Sequence, residues 1–410
     1  MEVVCYQCNQ KTSSDIHFEV CNFVCPKCQS VYGQSDGLRF QGRTFPGRDF
    51  VSNQCFDIGQ KGTLYETEYT VVALLVKKAH GSFYWNEYTL EDQSGNVIFL
   101  SESEGHWILL RQADQPYDII GRPTYIDYDG LRLRLYEHTE TQIVGAAGFF
   151  DYKITTLKIP MTEYVAPPNI LSVERVDGEE MAYFGTHISR RTIKKGFKIS
   201  GMPSRMGTGI VQPFFINVKN FAIIFCVVAI AILSSHWYIY SDRTQTNVLN
   251  ETFTIGSSNN KEFISPSFTL EGASAPLTVK VGSDIDNSWL NVQVALVNER
   301  TNEEIYANKD VEYYHGYTDG ESWSEGDKSE TLQLCGITSG KYHLVITPQW
   351  APENNSNNYV EVKAIWNEPS TWNVWLPIII MAGVCIGLYF LNVNFEQKRW
   401  SESDYSPYDN

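Results

Sequence analysis

Hydrophobic positions along this chain follow two patterns, long unbroken apolar runs and short alternating stretches. Residues 221–233, FAIIFCVVAIAIL, hold no polar side chain, and the run continues through Ser234, Ser235 and His236 into Trp237, Tyr238 and Tyr240. A second run, WNVWLPIIIMAGVCIGLYFL at 372–391, lies in a stretch with no charge between Glu368 and Glu396. About 20 helical residues cross a hydrocarbon core, so the runs predict transmembrane helices over 220–240 and 372–391. A globular core helix would set an apolar stripe against a polar face, and neither run does. The first begins halfway along the chain and is read as a span, not a signal peptide.

Elsewhere the period is two. Strands are predicted at 69–76, 83–91, 97–100 and 106–111, separated by turns at 79–82, Ser94-Gly95-Asn96 and Ser103-Glu104-Gly105. Leu131, Leu133 and Leu135 alternate with Arg132 and Arg134 directly after Asp129-Gly130, which predicts a hairpin with the leucines inward. Between the two apolar runs, WLNVQVALVNERT and TLQLCGITSGKYHLVITP are strand-like stretches bounded by turn residues, and a β-sandwich is expected. The acidic, aromatic run VEYYHGYTDGESWSEGD at 311–327 is expected to be a solvated loop.

Basic residues give an orientation. No acid lies between Glu180 and Asp242, while Arg190, Arg191, Lys194, Lys195, Lys198, Arg205 and Lys219 lead into the first run. Lys398 and Arg399 follow the second. The positive-inside rule then places both termini in the cytoplasm, with Trp237, Tyr238, Tyr240, Trp372 and Trp375 at the outer interface. Net charge agrees with a partition: −3 for residues 1–220, −11 for 241–371 and −2 for 392–410. Such an acidic outer segment disfavours nucleic acid and anionic lipid as partners.

Cysteine usage adds the most specific chemistry. Cys5-x-x-Cys8 and Cys25-x-x-Cys28 have the spacing of a four-thiolate zinc ribbon, and thiols on the reducing side of a membrane favour metal over disulfide. A closed tetrahedral site of four thiolates makes the Zn2+ structural. Cys21 and His17 stand as alternative ligands.

Two further groups of residues carry a resemblance: WNEYTLEDQSGNVIFLSESEGHWILL at 85–110 and EYVAPPNILSVERVDGEEMAYFGTHIS at 163–189. Trp85, Glu87, Tyr88, Leu100 and Trp107, then Tyr164, Pro167, Pro168, Leu171, Ser172 and Glu174, resemble the bacterial family called domain of unknown function 4178. The resemblance covers roughly residues 55–200. It implies a bacterial inner-membrane setting and an accessory role. It also implies a protein partner, such as a spermidine-synthase-like enzyme or a small membrane protein. Trp85, Glu87, Tyr88 and Glu174 are the candidate binding site, with Trp85 and Glu87 on one strand face.

The expected fold class is therefore multidomain and mainly β. A zinc ribbon (1–32) and a linker (33–54) precede a cytoplasmic antiparallel β-domain (55–200) and a juxtamembrane segment (201–219). The first span (220–240), an extracytoplasmic β-sandwich (241–371), the second span (372–391) and a disordered cytoplasmic tail (392–410) follow. No phosphate loop, nucleophile elbow, His-Glu-x-x-His or dinucleotide fingerprint is present, so no catalytic residue is assigned. A membrane-anchored binding or scaffold protein is expected, contacting the envelope through an outer domain whose ligand the sequence does not name. The alternative is an enzyme of unrecognised type with a pocket in the cytoplasmic β-domain.

Overall fold

The computed structural model describes residues 1–34, 38–45, 54–113, 121–176, 178–255, 261–350, 357–369 and 371–408. The chain divides into two units, Met1–Val218 with Gly387–Asn410, and Lys219–Ile386.

In the first unit fifteen strands are described. They are β1 (Glu2–Val4), β2 (Lys11–Ser13), β3 (Asn22–Val24), β4 (Ser30–Gln34), β5 (Leu38–Thr44), β6 (Lys61–Leu64), β7 (Thr67–Ala79), β8 (Phe83–Asp92), β9 (Val97–Ser103), β10 (His106–Gln112), β11 (Tyr125–Tyr128), β12 (Leu131–Phe150), β13 (Lys158–Ala166), β14 (Asn169–Val176) and β15 (Glu179–His187). The alternating stretches pair in the order β12-β13-β14-β15-β10-β9-β8-β7, and β7 returns to β12, so eight antiparallel strands close into a barrel. Closure depends on the length of β12: residues 134–142 pair with β13, while Gly145, Ala146 and Ala147 pair with Val76, Leu75 and Leu74. Closing a sheet removes its edges, and here no residue of a barrel strand needs an edge-protecting charge.

Turn chemistry sets the register of the hairpins. Glu104 and Gly105 both have positive φ (48° and 75°), as do Asp129 and Gly130 (49° and 74°), which is the two-residue turn that matches strand twist. At Gly105 a Cβ would also meet the Ser204 carbonyl oxygen at 2.6 Å, so only glycine fits.

The sheet has two buried faces. On the outward face Leu74, Val76, Tyr88, Leu90, Leu100 and Trp107 form one core with Phe56, Ile193 and Phe197. Ile193 and Phe197 come from α1 (Arg190–Phe197), whose first turn is capped by Ser189, the Oγ accepting from Thr192 N at 3.1 Å. Leu133 and Leu135 are buried as their alternation predicts, against Tyr164 and Leu171. Residues of the opposite parity point into the barrel, as Lys77 on β7 shows by reaching Glu174 on β14, three strands away.

Two expectations for this unit are corrected. Residues 38–44 form β5 in the same sheet, through β4 and β3 to β12, and are no linker; residues 35–37 and 46–53 lie outside the described set. The backbone of this glycine-rich stretch finds its hydrogen bonds on β4, which a composition-based reading does not anticipate. The tail is also ordered through residue 408. Its Arg399, Trp400 and Ser403 are buried, because their partners lie on the barrel and not within the tail.

The second unit contains α2 (Val218–Tyr240), none of whose residues is buried, and ten strands. These are β16 (Thr246–Thr254), β17 (Phe263–Ile264), β18 (Phe268–Leu270), β19 (Ala275–Ser283), β20 (Ser288–Asn298), β21 (Glu304–Thr318), β22 (Glu321–Asp327), β23 (Ser329–Ile337), β24 (Gly340–Trp350) and β25 (Tyr359–Trp366). One sheet runs β16-β25-β19-β23 and the other β17-β24-β20-β21-β22, with β18 on β24. Alternating residues of both enclose one core, including Val279, Val281, Leu290, Val292, Leu344 and Val362. The 311–327 run, expected as a loop, is the β21–β22 hairpin, paired from Glu312↔Asp327 to Thr318↔Glu321. Its exposed Tyr317 and Trp323 suit strand propensity despite their hydrophilic neighbours.

The helix α3 (Trp372–Trp400) runs nine residues past the predicted span. Both α2 and α3 are long and apolar enough to cross a membrane.

Candidate functional site

Two sites emerge in the first unit. The smaller is the cysteine cluster. Each Cys-x-x-Cys makes the same knuckle: Cys5 N donates to Gln10 O and Asn9 N to Cys5 O, and Cys25 N donates to Ser30 O and Gln29 N to Cys25 O. Asn9 and Gln29 take positive φ (56° and 61°) to complete these turns. The ligand atoms of Cys5, Cys8, Cys25 and Cys28 lie within 4.8 Å of one another, with Cys5–Cys28 and Cys8–Cys25 sulfurs at 3.5 Å. Metal–sulfur bonds of about 2.3 Å in a tetrahedron require sulfur separations of about 3.8 Å, so the four thiols fit one ion. Tyr32 OH lies 3.1 Å from Cys5 Sγ and Ser30 Oγ 3.1 Å from Cys28 Sγ, each able to donate to a thiolate.

Cys21 and His17 are outside this cluster. His17 instead lies against the buried Glu91, its backbone N donating to Oε1 at 3.0 Å. Gln29 ties the second knuckle to the barrel, accepting at Oε1 from Ala146 N on β12 at 3.1 Å.

The larger site is the barrel interior. Lys77, Glu87 and Glu174 meet there: Lys77 Nζ lies 2.7 Å from Glu174 Oε1 and 3.2 Å from Glu87 Oε2, with side-chain exposures of 5%, 18% and 12%. Burial alone would lower the Lys77 pKa, but the carboxylates of Glu174 and Glu87 outweigh it and raise it. Lys77 is therefore a fixed ammonium and no nucleophile. Burial pushes the Glu87 carboxyl up, with Lys77 opposing and Glu174 adding.

Beside this triad a cavity of about 540 Å³ opens, within the usual size of a small-molecule site. Its walls include Phe83 and Trp85 from β8, Glu137 from β12 and Glu163 from β13. Glu137 and Glu163 are direct cross-strand partners. Glu137 lies 3.5 Å from His80 Nε2, whereas Glu163 forms no hydrogen bond or ion pair among the described residues. Burial, then the Glu137 and Glu174 carboxylates, push the Glu163 carboxyl up to about 7.

Residues 207–212 and 398–402 complete the cavity wall. Arg399, its side chain fully enclosed, donates from Nη1 to the Gly209 and Ile210 carbonyls at 2.8 and 2.7 Å and from Nη2 to Gln212 O at 2.5 Å, and pairs with Glu396. Trp400 packs on Tyr136 at 5.1 Å between ring centres, and Ser403 Oγ donates to Tyr136 O.

Of the residues singled out from sequence, Trp85, Glu87 and Glu174 point into the barrel. Tyr88 does not: strand alternation turns it to the outward core, where its hydroxyl accepts from Cys55 N at 2.9 Å and its ring packs on Phe56. Lys77, Glu137, Glu163 and Arg399 were missed. A usable signal was present only for Lys77, a charge at the end of the buried run 69–76.

Residues 57–190 match the family described as Domain of unknown function (DUF4178). The DUF4178 segment thus spans the barrel strands β7–β10 and β12–β15, and every interior residue named above from those strands lies within it. No curated protein matches the chain. Among solved structures, the CBM22-1–GH10 modules of Clostridium thermocellum xylanase 10B, complexed with xylohexaose, are 12% identical with a TM-score of 0.14, covering 31% of this chain and 26% of that one. The insecticidal delta-endotoxin Cry8Ea1 of Bacillus thuringiensis is 8% identical with a TM-score of 0.18, covering 84% and 60%. Similarities this low carry no weight for fold or function.

Proposed function

We propose that this chain is a two-pass protein of a bacterial inner membrane that holds a ligand-binding barrel on the cytoplasmic face. The observation that carries the reading is the 540 Å³ chamber inside a closed barrel, walled by aromatic and charged side chains. Two apolar helices and the basic residues at their inner ends support the anchoring and its sidedness. The four N-terminal thiolates hold a structural zinc ion, which secures β3–β5 to β12. The acidic second unit faces the envelope, and a cytoplasmic protein partner reads the state of the barrel.

One observation favours an enzyme instead. A carboxyl at about 7 inside a cavity has the proton affinity of a general base at neutral pH. No activated nucleophile accompanies it among the described residues, since Lys77 is held charged by two carboxylates.

The test is recovery of a small molecule with the full-length protein purified from its own membranes, by extraction and mass spectrometry. Ser101→Trp, placed on the chamber wall, serves as the filled control. A species retained by the wild type and depleted about tenfold or more in the variant supports a binding barrel. Identical extracts from both refute it, and turnover of the recovered species by the protein turns the reading to catalysis.

A further inference from the structure

The chamber is short of positive charge. Glu104, Glu137, Glu163 and Glu402 stand on its wall against Lys398 and Arg399, and the nearby Lys77 is already engaged by Glu87 and Glu174. His80, half-exposed, reaches only Glu137 among the described residues. Of the other two histidines of the wall, His187 is pulled down to about 4 by burial and by Arg205 and His106, and burial also lowers His106, so neither supplies charge at neutral pH. Arg399 points its guanidinium away, into the carbonyls of residues 209, 210 and 212 and into Glu396.

Placement makes the deficit local. Glu137 and Glu163 sit opposite each other on adjacent strands, an arrangement in which like charges repel. Enclosed carboxyl groups are normally paired, and the half-buried Glu163 has no hydrogen-bond or ion-pair partner among the described residues. Trp85 and Phe83, 6.0 Å apart between ring centres, stand on the same wall, and aromatic faces attract cations in a desolvated site. A protonated amine on an organic body satisfies both features: its N–H groups donate to Glu163 and Glu137, and its carbon skeleton lies on the rings.

Resting on the barrel's being a ligand chamber, we infer that its ligand is an organic cation carrying a protonated amine, bound between the Glu137–Glu163 pair and the Trp85 side of the wall. A bare divalent metal ion suits the site less well, since it would leave the aromatic wall and most of the cavity unfilled.

Benzylammonium and benzyl alcohol differ in charge at nearly equal shape, and Ca2+ represents the metal alternative. Each is titrated calorimetrically into the full chain in lipid nanodiscs, with Glu163→Gln and Glu137→Gln in parallel. Benzylammonium is expected to bind about tenfold or more tightly than the alcohol, the equivalent of one charge-assisted hydrogen bond. Glu163→Gln should reduce that ratio about tenfold while leaving alcohol binding unchanged, which also shows that the variant is folded. Equal affinity for the two probes, no binding of benzylammonium, or tighter binding of Ca2+ overturns the assignment. A natural molecule that Ser101→Trp excludes, but that carries no ammonium group, overturns the cation and leaves the chamber standing.

Discussion

Replacing Lys77 by Met tests the electrostatic core of the barrel. The side chains have similar length, so little packing is lost, but Glu87 and Glu174 lose the ammonium that lies 3.2 and 2.7 Å from them. Removing one member of an enclosed ion cluster leaves unpaired carboxylates and typically costs about 3 to 5 kcal/mol. The sign with pH is fixed. Burial already raises the Glu87 carboxyl, and loss of Lys77, which opposes that rise, raises it further. A carboxyl raised in the folded state contributes least where it must ionise, so the deficit of the variant grows as pH climbs above the ordinary carboxyl value of about 4.3. As pH falls toward that value the Glu87 carboxyl takes up its proton, so the difference shrinks. Hydrogen–deuterium exchange of the full chain measures this locally, in peptides covering β8 and β14, with β20 of the other unit as control. At pH 7.5 the variant should exchange about 10² to 10⁴ times faster in β8 and β14, and adding Glu87→Gln and Glu174→Gln should restore most of the protection. Unchanged exchange at pH 7.5, or a loss equal at pH 4.5 and 7.5, refutes the ion cluster as described.

Three further outcomes are expected. Serine at Cys5, Cys8, Cys25 or Cys28 should abolish stoichiometric metal in the purified chain, measured by emission spectrometry, whereas Cys21→Ser should retain it; metal lost with Cys21→Ser contradicts the ligand set. Arg399→Met orphans three backbone carbonyls at about 1 to 3 kcal/mol each, so proteolysis after residue 400 should accelerate at least tenfold, and an unchanged rate would show that the segment is held elsewhere. An impermeant thiol reagent applied to cells with a permeabilised outer envelope should label the exposed Cys335, and protection of Cys335 until the inner membrane is opened reverses the topology. Cys55 is a poor reporter there, because burial and Glu102 push its thiol up to about 11.

Local signals were legible and non-local ones were not. The strands at 69–76, 83–91, 97–100 and 106–111 and their turns follow from period two and from Glu104-Gly105 and Asp129-Gly130, and all are formed. The cysteine pairs are legible because each knuckle is a local turn, with sixteen residues between the pairs that hold β2 and β3. Barrel closure was not legible, since it joins residues 145–147 to 74–76 across some seventy positions. That closure is what converts Glu137 and Glu163, ordinary alternating acids on strands, into enclosed groups. For Tyr88 the alternation that placed Trp85 and Glu87 together already implied the opposite face. The tail was misjudged because Arg399 and Trp400 find their partners at residues 209–212 and 136, over 180 positions away.

The central claim is that the barrel interior holds a ligand, and experimental density for the full chain purified from its own membranes tests it most directly. The account predicts non-protein density in the chamber, in contact with the Trp85 ring and within hydrogen-bonding distance of the Glu163 carboxyl. A chamber holding only water, or closed by inward movement of its own side chains, would contradict it.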